Sequence, residues 1–244
     1  MPDEPSTIAA EGTTTRTSPE PTGRLAAVLW DLDGTLIDSE PIWWQVEVEL
    51  FEKYGGTWTV ELAKSLVGRD LRDSARGMLE HFERATKTPE ELVVEMVARV
   101  EQRFRAEVTF QPGVVDLLNE LSRTGVPMAL VTASYRVLVD ALLSHLPDIT
   151  FDAIVSGDDV TLGKPNPEPY LTAIARLGVA AADCLAIEDS HAGSASAQAA
   201  GAHVLVVPHV VTPEPGPGRT VVESLAGIDV EYLRGLIAGR DAAS

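Results

Sequence analysis

At 244 residues, with 45% apolar and 23% charged residues, the chain has an ordinary globular composition and room for one large domain or one domain carrying an insertion. Its formal charge of −18 argues against nucleic acid and anionic membranes as partners, because both are held by Lys and Arg neutralising phosphates. No apolar run approaches the roughly 18–20 residues of a membrane helix and no leader pattern opens the chain, so a cytoplasmic protein without a membrane partner, monomeric by default, is expected.

Residues 1–23 are rich in Pro, Thr, Ser and Glu and nearly free of large apolar side chains, which predicts a disordered tail. From Arg24 onward short β-type runs alternate with helical patterns. The runs are Ala26 to Trp30, Pro127 to Val131, Ala153 to Ser156, Cys184 to Ile187 and Val204 to Val207. Such alternation specifies an α/β fold, a parallel sheet covered on both faces. Val137, Leu138, Ala141 and Leu142 recur at helical spacing, as do Tyr170, Leu171, Ile174 and Leu177, and Gly178 follows as a helix stop. Between the first two strands lies far more chain than one crossover helix needs. Residues 41–107 show repeated helical patterns with Trp43, Trp44 and Trp58 among them, which predicts an inserted helical cap subdomain whose tryptophans form its core. The α/β core is then residues 24–40 and 108–244, with hinges near 37–41 and 107–112. Pro208 to Gly218 reads as a loop before a last short helix. Cys184, the only cysteine, sits in an apolar run and reads as a small buried hydrophobe.

The first β-type run ends in Asp31 and Asp33, followed at once by Gly34 and Thr35. Ligand-binding groups in a parallel sheet gather beyond the carboxyl ends of the strands, and two close carboxylates call for a cation. Three more segments follow strand ends or loops in the same way: Val131-Thr132-Ala133-Ser134, Gly163-Lys164-Pro165-Asn166-Pro167, and Ile187-Glu188-Asp189-Ser190-His191. In this order the four resemble the motifs of the haloacid dehalogenase-like superfamily, in its phosphatase and phosphomutase branch with a helical cap. The resemblance runs from about Ala26 to Pro208 and implies a Rossmann-like sheet, Mg²⁺ as cofactor and a small phosphorylated molecule as substrate.

The chemistry suits those roles. A carboxylate reaches an anionic phosphate monoester only when both charges are offset, and a hard divalent cation held by carboxylates offsets them. Asp31 is expected to be nucleophile and metal ligand, and Asp33 to carry protons to the leaving alcohol and from the attacking water. The resemblance also gives the Asp33 backbone carbonyl to the metal. Thr132, with the backbone N–H groups of Ala133 and Ser134, would cradle the phosphate, while Lys164 would pair with both phosphate and Asp31. Asp189 is expected as a metal ligand, and Glu188 as a ligand either directly or through water. Asp38 and Ser39 read as caps of the helix near Pro41, and His191 as a solvent-facing helix start. Arg69 stands where cap residues of the family reach the site and is expected to touch substrate. A phosphatase is the leading reading. A phosphomutase of the β-phosphoglucomutase type uses the same motifs, and a non-catalytic module that binds phosphorylated metabolites is the alternative outside enzymes.

Overall fold

Strand β1 (Ala27–Trp30) is apolar at every position and buried at every position, as a strand covered on both faces must be. The structure, a computed structural model, describes residues 22–66, 71–209 and 216–241. Among them β1 is joined by β2 (Met128–Val131), β3 (Ala153–Val155), β4 (Cys184–Glu188), β5 (His203–Val206) and β6 (Arg219–Val221). All neighbouring pairs are parallel, in the order β3-β2-β1-β4-β5-β6. The five strands expected from sequence lie within a residue of their places. The sixth was not expected. Its three residues are only half-buried, so an edge strand of this length leaves no apolar run to read.

Alternate residues of each strand face opposite sides, and the two sides differ in size. Val28, Trp30, Leu130, Leu185 and Ile187 enter one cluster with helices α5 (Val114–Thr124), α6 (Arg136–Leu143) and α9 (Val230–Asp241). Ala27, Leu29, Ala129, Val131 and Ala186 enter the other, where α7 (Glu168–Leu177) and α8 (His191–Ala199) approach a surface of small side chains. Gly178 ends α7 as anticipated. Cys184 belongs to this second cluster; burial pushes its thiol up to about 12, which makes it inert.

Between β1 and α5 come four helices, α1 (Glu40–Tyr54), α2 (Val60–Leu66), α3 (Leu71–Leu79) and α4 (Pro89–Ala106). Helix α4 starts on a reciprocal cap, in which the Thr88 hydroxyl accepts from Glu91 N–H and the Glu91 carboxylate accepts from Thr88 N–H. Its buried stripe of Leu92, Val93, Met96, Val97, Val100 and Phe104 joins the larger cluster of the core, so cap and sheet share continuous apolar packing. Glu95 ties α1 to α4. Burial works to raise its carboxyl, but hydrogen bonds from Lys53, Tyr54, Lys87 and Arg99 bring it down to about 2. The two chain crossings into the cap are zipped together: Ile37 bridges Phe110, Asp38 N–H donates to Thr109 O (2.9 Å) and Gln111 N–H to Leu36 O (2.9 Å).

Thr22 and Gly23, read from sequence as the end of a disordered tail, instead donate three hydrogen bonds to the Asp183 carboxylate at 2.6–2.9 Å. Residues 1–21 lie outside the described part. No helix among the described residues is long and apolar enough to cross a membrane.

Candidate active site

The strand order reverses around the central pair β1 and β4, since β1 leads outward to β2 and β4 to β5. A crevice opens at the carboxyl ends of strands at such a point. The register pairs Trp30 with Ile187, so Asp31 and Glu188, the next residue on each strand, emerge side by side. Asp31 N–H donates to Ile187 O at 3.1 Å, which keeps that register past the strand end. Thr132 leaves β2 on the other side, its N–H donating to Val155 O.

Lys164, from the loop between β3 and α7, reaches into this crevice. Its Nζ donates to Asp31 Oδ1 at 2.6 Å and to Glu188 Oε1 at 2.5 Å, and its side chain is only 7% exposed. Burial would push its ammonium down, but the charges of Asp31 and Glu188 outweigh that and leave it raised, hence protonated. Tyr170 of α7 lies beneath, with Nζ 5.2 Å from its ring centroid and its hydroxyl donating to Glu188 Oε1. One oxygen each of Asp31, Glu188 and Asp189 lie within 4.8 Å of one another. One lysine cannot neutralise three carboxylates. Burial, then the charges of Asp31 and Glu188, push Asp189 up to about 8, and burial and Asp31 raise Glu188. A buried acidic cluster of hard oxygen donors fits a divalent cation that prefers carboxylates.

The start of α8 forms the backstop. Ser190 caps it by accepting from Gly193 N–H (3.1 Å) and donates to Glu188 Oε2 (3.2 Å). A Cβ on Gly193 would stand 2.0 Å from both Glu188 oxygens, so any side chain there would have to displace the Glu188 carboxylate. Gly34 is similarly constrained: its φ is +84°, and a Cβ would lie 2.2 Å from Asp189 Oδ2.

Asp33 lives in different surroundings. Its Oδ1 accepts from Ser39 Oγ (2.6 Å) and lies 3.5 Å from the Trp43 indole nitrogen, while Oδ2 accepts from Ser134 Oγ (2.6 Å). Burial raises its carboxyl; the serine hydrogen bonds oppose this and Asp31 reinforces it. Asp31 thus sits among charges, and Asp33 among neutral donors.

The sequence profile of haloacid dehalogenase-like hydrolases matches residues 28–207, nearly all of the sheet together with the cap. The chain belongs to this family. Protein CbbY of Rhodobacter capsulatus is 34% identical over 200 residues, which span 77% of this chain and 87% of that protein. The phosphorylated carbohydrates phosphatase of Thermotoga maritima is 31% identical over 179 residues, 72% of this chain and 82% of its own. Among solved structures, CbbY from Rhodobacter sphaeroides in complex with phosphate superposes with a TM-score of 0.77 at 27% identity, covering 86% of this chain and 99% of that one. The same protein in complex with xylulose-(1,5)-bisphosphate gives 0.77 at 26% identity, with the same coverage.

Seven of the residues singled out from sequence, Asp31, Asp33, Thr132, Ser134, Lys164, Glu188 and Asp189, are brought together at the strand ends. Several details differ from expectation. The Ser134 N–H is taken by Thr132 Oγ1 (3.0 Å) and is not free for phosphate; its hydroxyl holds Asp33 instead. The acidic cluster contains Asp31, Glu188 and Asp189 and not the Asp33 side chain, in keeping with an Asp33 that was expected to offer the metal only its backbone carbonyl. Ser39 does not cap α1 through its side chain, because its hydroxyl is given to Asp33. Asp38 pairs with His209 at 3.3 Å. Trp43 is turned toward Asp33 in place of serving only as cap core. His191 is exposed at the first position of α8. Arg69 lies outside the described residues. Tyr170 was missed as a site residue, although a phenol inside an apolar helical stripe was the available signal, since a buried Tyr hydroxyl requires a partner.

Proposed function

We propose that the chain is a Mg²⁺-dependent phosphatase that hydrolyses a small phosphomonoester through an aspartyl-phosphate on Asp31. The observation that carries this reading is the division of the two aspartates, one locked to Lys164 beside an acidic cluster and the other held by neutral hydroxyls. Two carboxylates in contrasting environments take contrasting roles. A divalent cation held by Asp31, Glu188 and Asp189 would polarise the phosphoryl oxygens and offset their charge.

The remaining steps belong to the chain's own groups. With Oδ1 fixed by Lys164, Asp31 offers Oδ2 to phosphorus. Thr132 Oγ1 accepts from Ser134 N–H, so its hydroxyl hydrogen is free to donate to a phosphoryl oxygen. The Ala133 N–H, which no group among the described residues takes, lies next to it and completes the cradle. Asp33, whose raised carboxyl favours keeping a proton, gives it to the leaving oxygen and later takes one from the attacking water. Ser39 and Trp43, two of its three partners, stand at the start of the first cap helix, so movement of the cap changes what Asp33 touches. The names of the similar proteins, a phosphatase of phosphorylated carbohydrates and a protein crystallised with a sugar bisphosphate, support a phosphorylated metabolite of that kind.

A phosphate-release screen over sugar phosphates, nucleotides and glycerol phosphates, with Mg²⁺ or with EDTA, tests the reading. Metal-dependent release from at least one class is expected. Return of the phosphoryl group to a second position of the same sugar, without release, would make the chain a mutase. Ligand-induced stabilisation without turnover would make it a binding module.

A further inference from the structure

The loop that delivers Lys164 runs straight into α7, and the first turn of that helix carries Tyr170. Pro165, Pro167 and Pro169 restrict the backbone between them. Asn166 Oδ1 accepts from Glu168 N–H (3.0 Å), and Ser196 of α8 donates to Asn166 O (2.6 Å), so lysine and tyrosine reach the crevice as one braced unit. Tyr170 is fully buried in the smaller apolar cluster, with its ring beneath Lys164 Nζ and its hydroxyl on Glu188. A carboxylate accepts at about four positions, two on each oxygen. Among the described residues, three of those on Glu188 are taken: Oε1 accepts from Lys164 Nζ (2.5 Å) and from the Tyr170 hydroxyl, and Oε2 accepts from Ser190 Oγ (3.2 Å). One position stays open, on Oε2, in a carboxylate that belongs to the cluster with Asp31 and Asp189. Lys164 brings a charge that offsets Asp31 and Glu188 together. The phenol brings none, so its contribution is the place it fills on Oε1.

Resting on the reading above in which Asp31, Glu188 and Asp189 hold a divalent cation, we propose that the Tyr170 hydroxyl decides which cation they hold: by occupying Glu188 Oε1 it limits that carboxylate to one oxygen, and so selects Mg²⁺ against Ca²⁺. Ca²⁺ takes about six to eight oxygens and commonly draws two of them from one carboxylate, whereas the smaller Mg²⁺ is octahedral and keeps several waters. Denying the second Glu188 oxygen therefore costs Ca²⁺ a ligand and costs Mg²⁺ nothing. Without the hydroxyl, Oε1 is held by Lys164 alone, and the carboxylate is free to turn both oxygens to the cation. Tyr170 acts through Glu188 and touches neither substrate nor metal, which makes it a positioning residue.

The test compares the parent with Tyr170→Phe, which keeps the ring under Lys164 and removes only the hydroxyl. Both are stripped of metal with EDTA, exchanged into metal-free buffer, checked for the same thermal transition, and titrated calorimetrically with MgCl₂ and with CaCl₂ in the absence of substrate. The parent should bind Mg²⁺ at least as tightly as Ca²⁺. In Tyr170→Phe the ratio of Mg²⁺ to Ca²⁺ affinity should fall at least tenfold, the scale on which partners of metal-ligating groups act. A merely loosened fold would weaken both cations alike and leave the ratio where it was. An unchanged ratio, with Mg²⁺ bound by the parent, overturns the role of Tyr170 and leaves the phosphatase reading standing. A parent that prefers Ca²⁺ overturns it without recourse to the variant, and a parent that binds neither cation overturns the metal reading and this proposal together. Calorimetry needs no turnover, so these outcomes hold whichever substrate the screen finds. In the phosphate-release assay with Mg²⁺, the same shift should appear as inhibition of Tyr170→Phe at a Ca²⁺ concentration at least tenfold lower than for the parent; equal inhibition counts against the proposal.

Discussion

Replacing Glu47 by Gln should make the folded protein more stable at neutral pH. Burial, reinforced by the charge of Glu40 and opposed by the Trp58 indole, pushes the Glu47 carboxyl from 4.5 up to about 7. An acid raised on folding keeps its proton in the folded state where the unfolded chain has lost it, so stability falls as pH climbs from about 4.5 to about 7 and then levels off. At about 1.4 kcal/mol for each pH unit of that interval, the ionised group costs on the order of 3 kcal/mol above pH 7. Gln keeps the shape and removes the charge. Thermal or urea unfolding of parent and variant from pH 4 to 8, in EDTA to suppress metal linkage, should show no gap at pH 4 and a gap opening to several degrees in Tm by pH 8, at roughly 2–4 °C per kcal/mol. Because both proteins share every other titrating group, their difference isolates Glu47. A gap of the same size at every pH would refute the reasoning, since it would come from packing and not from ionisation.

Other consequences concern the catalytic end of the crevice. Gly193→Ala places a methyl 2.0 Å from both Glu188 oxygens and should cut metal-dependent phosphate release by about a hundredfold, the scale of losing support for a metal-binding group, with far-UV circular dichroism unchanged. Lys164→Met leaves Asp31 and Glu188 without their counter-ion, which should cost about 3–5 kcal/mol in metal-free buffer and lose turnover, and added Mg²⁺ should restore part of the stability but not the rate. Ser134→Ala removes a hydrogen bond that lowers the Asp33 carboxyl, so the alkaline limb of the kcat/KM profile should move to higher pH.

What the sequence reveals here depends on whether a feature is local. Asp31, Lys164 and Asp189 could be singled out because each lies just beyond a strand end or in a proline-rich loop, and the parallel order of the strands brings those places together. Strand β6 was not, because three half-exposed residues pair at an edge through backbone alone. Ser39 reads as a helix cap because Ser just before Pro41 carries that signal; its hydroxyl goes instead to Asp33, a choice set by where a carboxylate six residues earlier points. The periodicity of α4 identifies its apolar stripe but not its partner, so the continuous packing of cap onto core becomes visible only in three dimensions. Tyr170 and Gly193 serve the site through Glu188, and their roles follow from the placement of that one carboxylate.

The central claim is that Asp31 forms the covalent bond to phosphorus. Parent and Asp31→Asn, both shown to be folded, are incubated with Mg²⁺ and the best substrate from the screen, then measured for inorganic phosphate and quenched for intact mass. The account predicts release by the parent, a transient adduct with the mass of one phosphoryl group that maps to Asp31, and neither signal in Asp31→Asn. Sustained phosphate release by Asp31→Asn, or an adduct on any other residue, would contradict it.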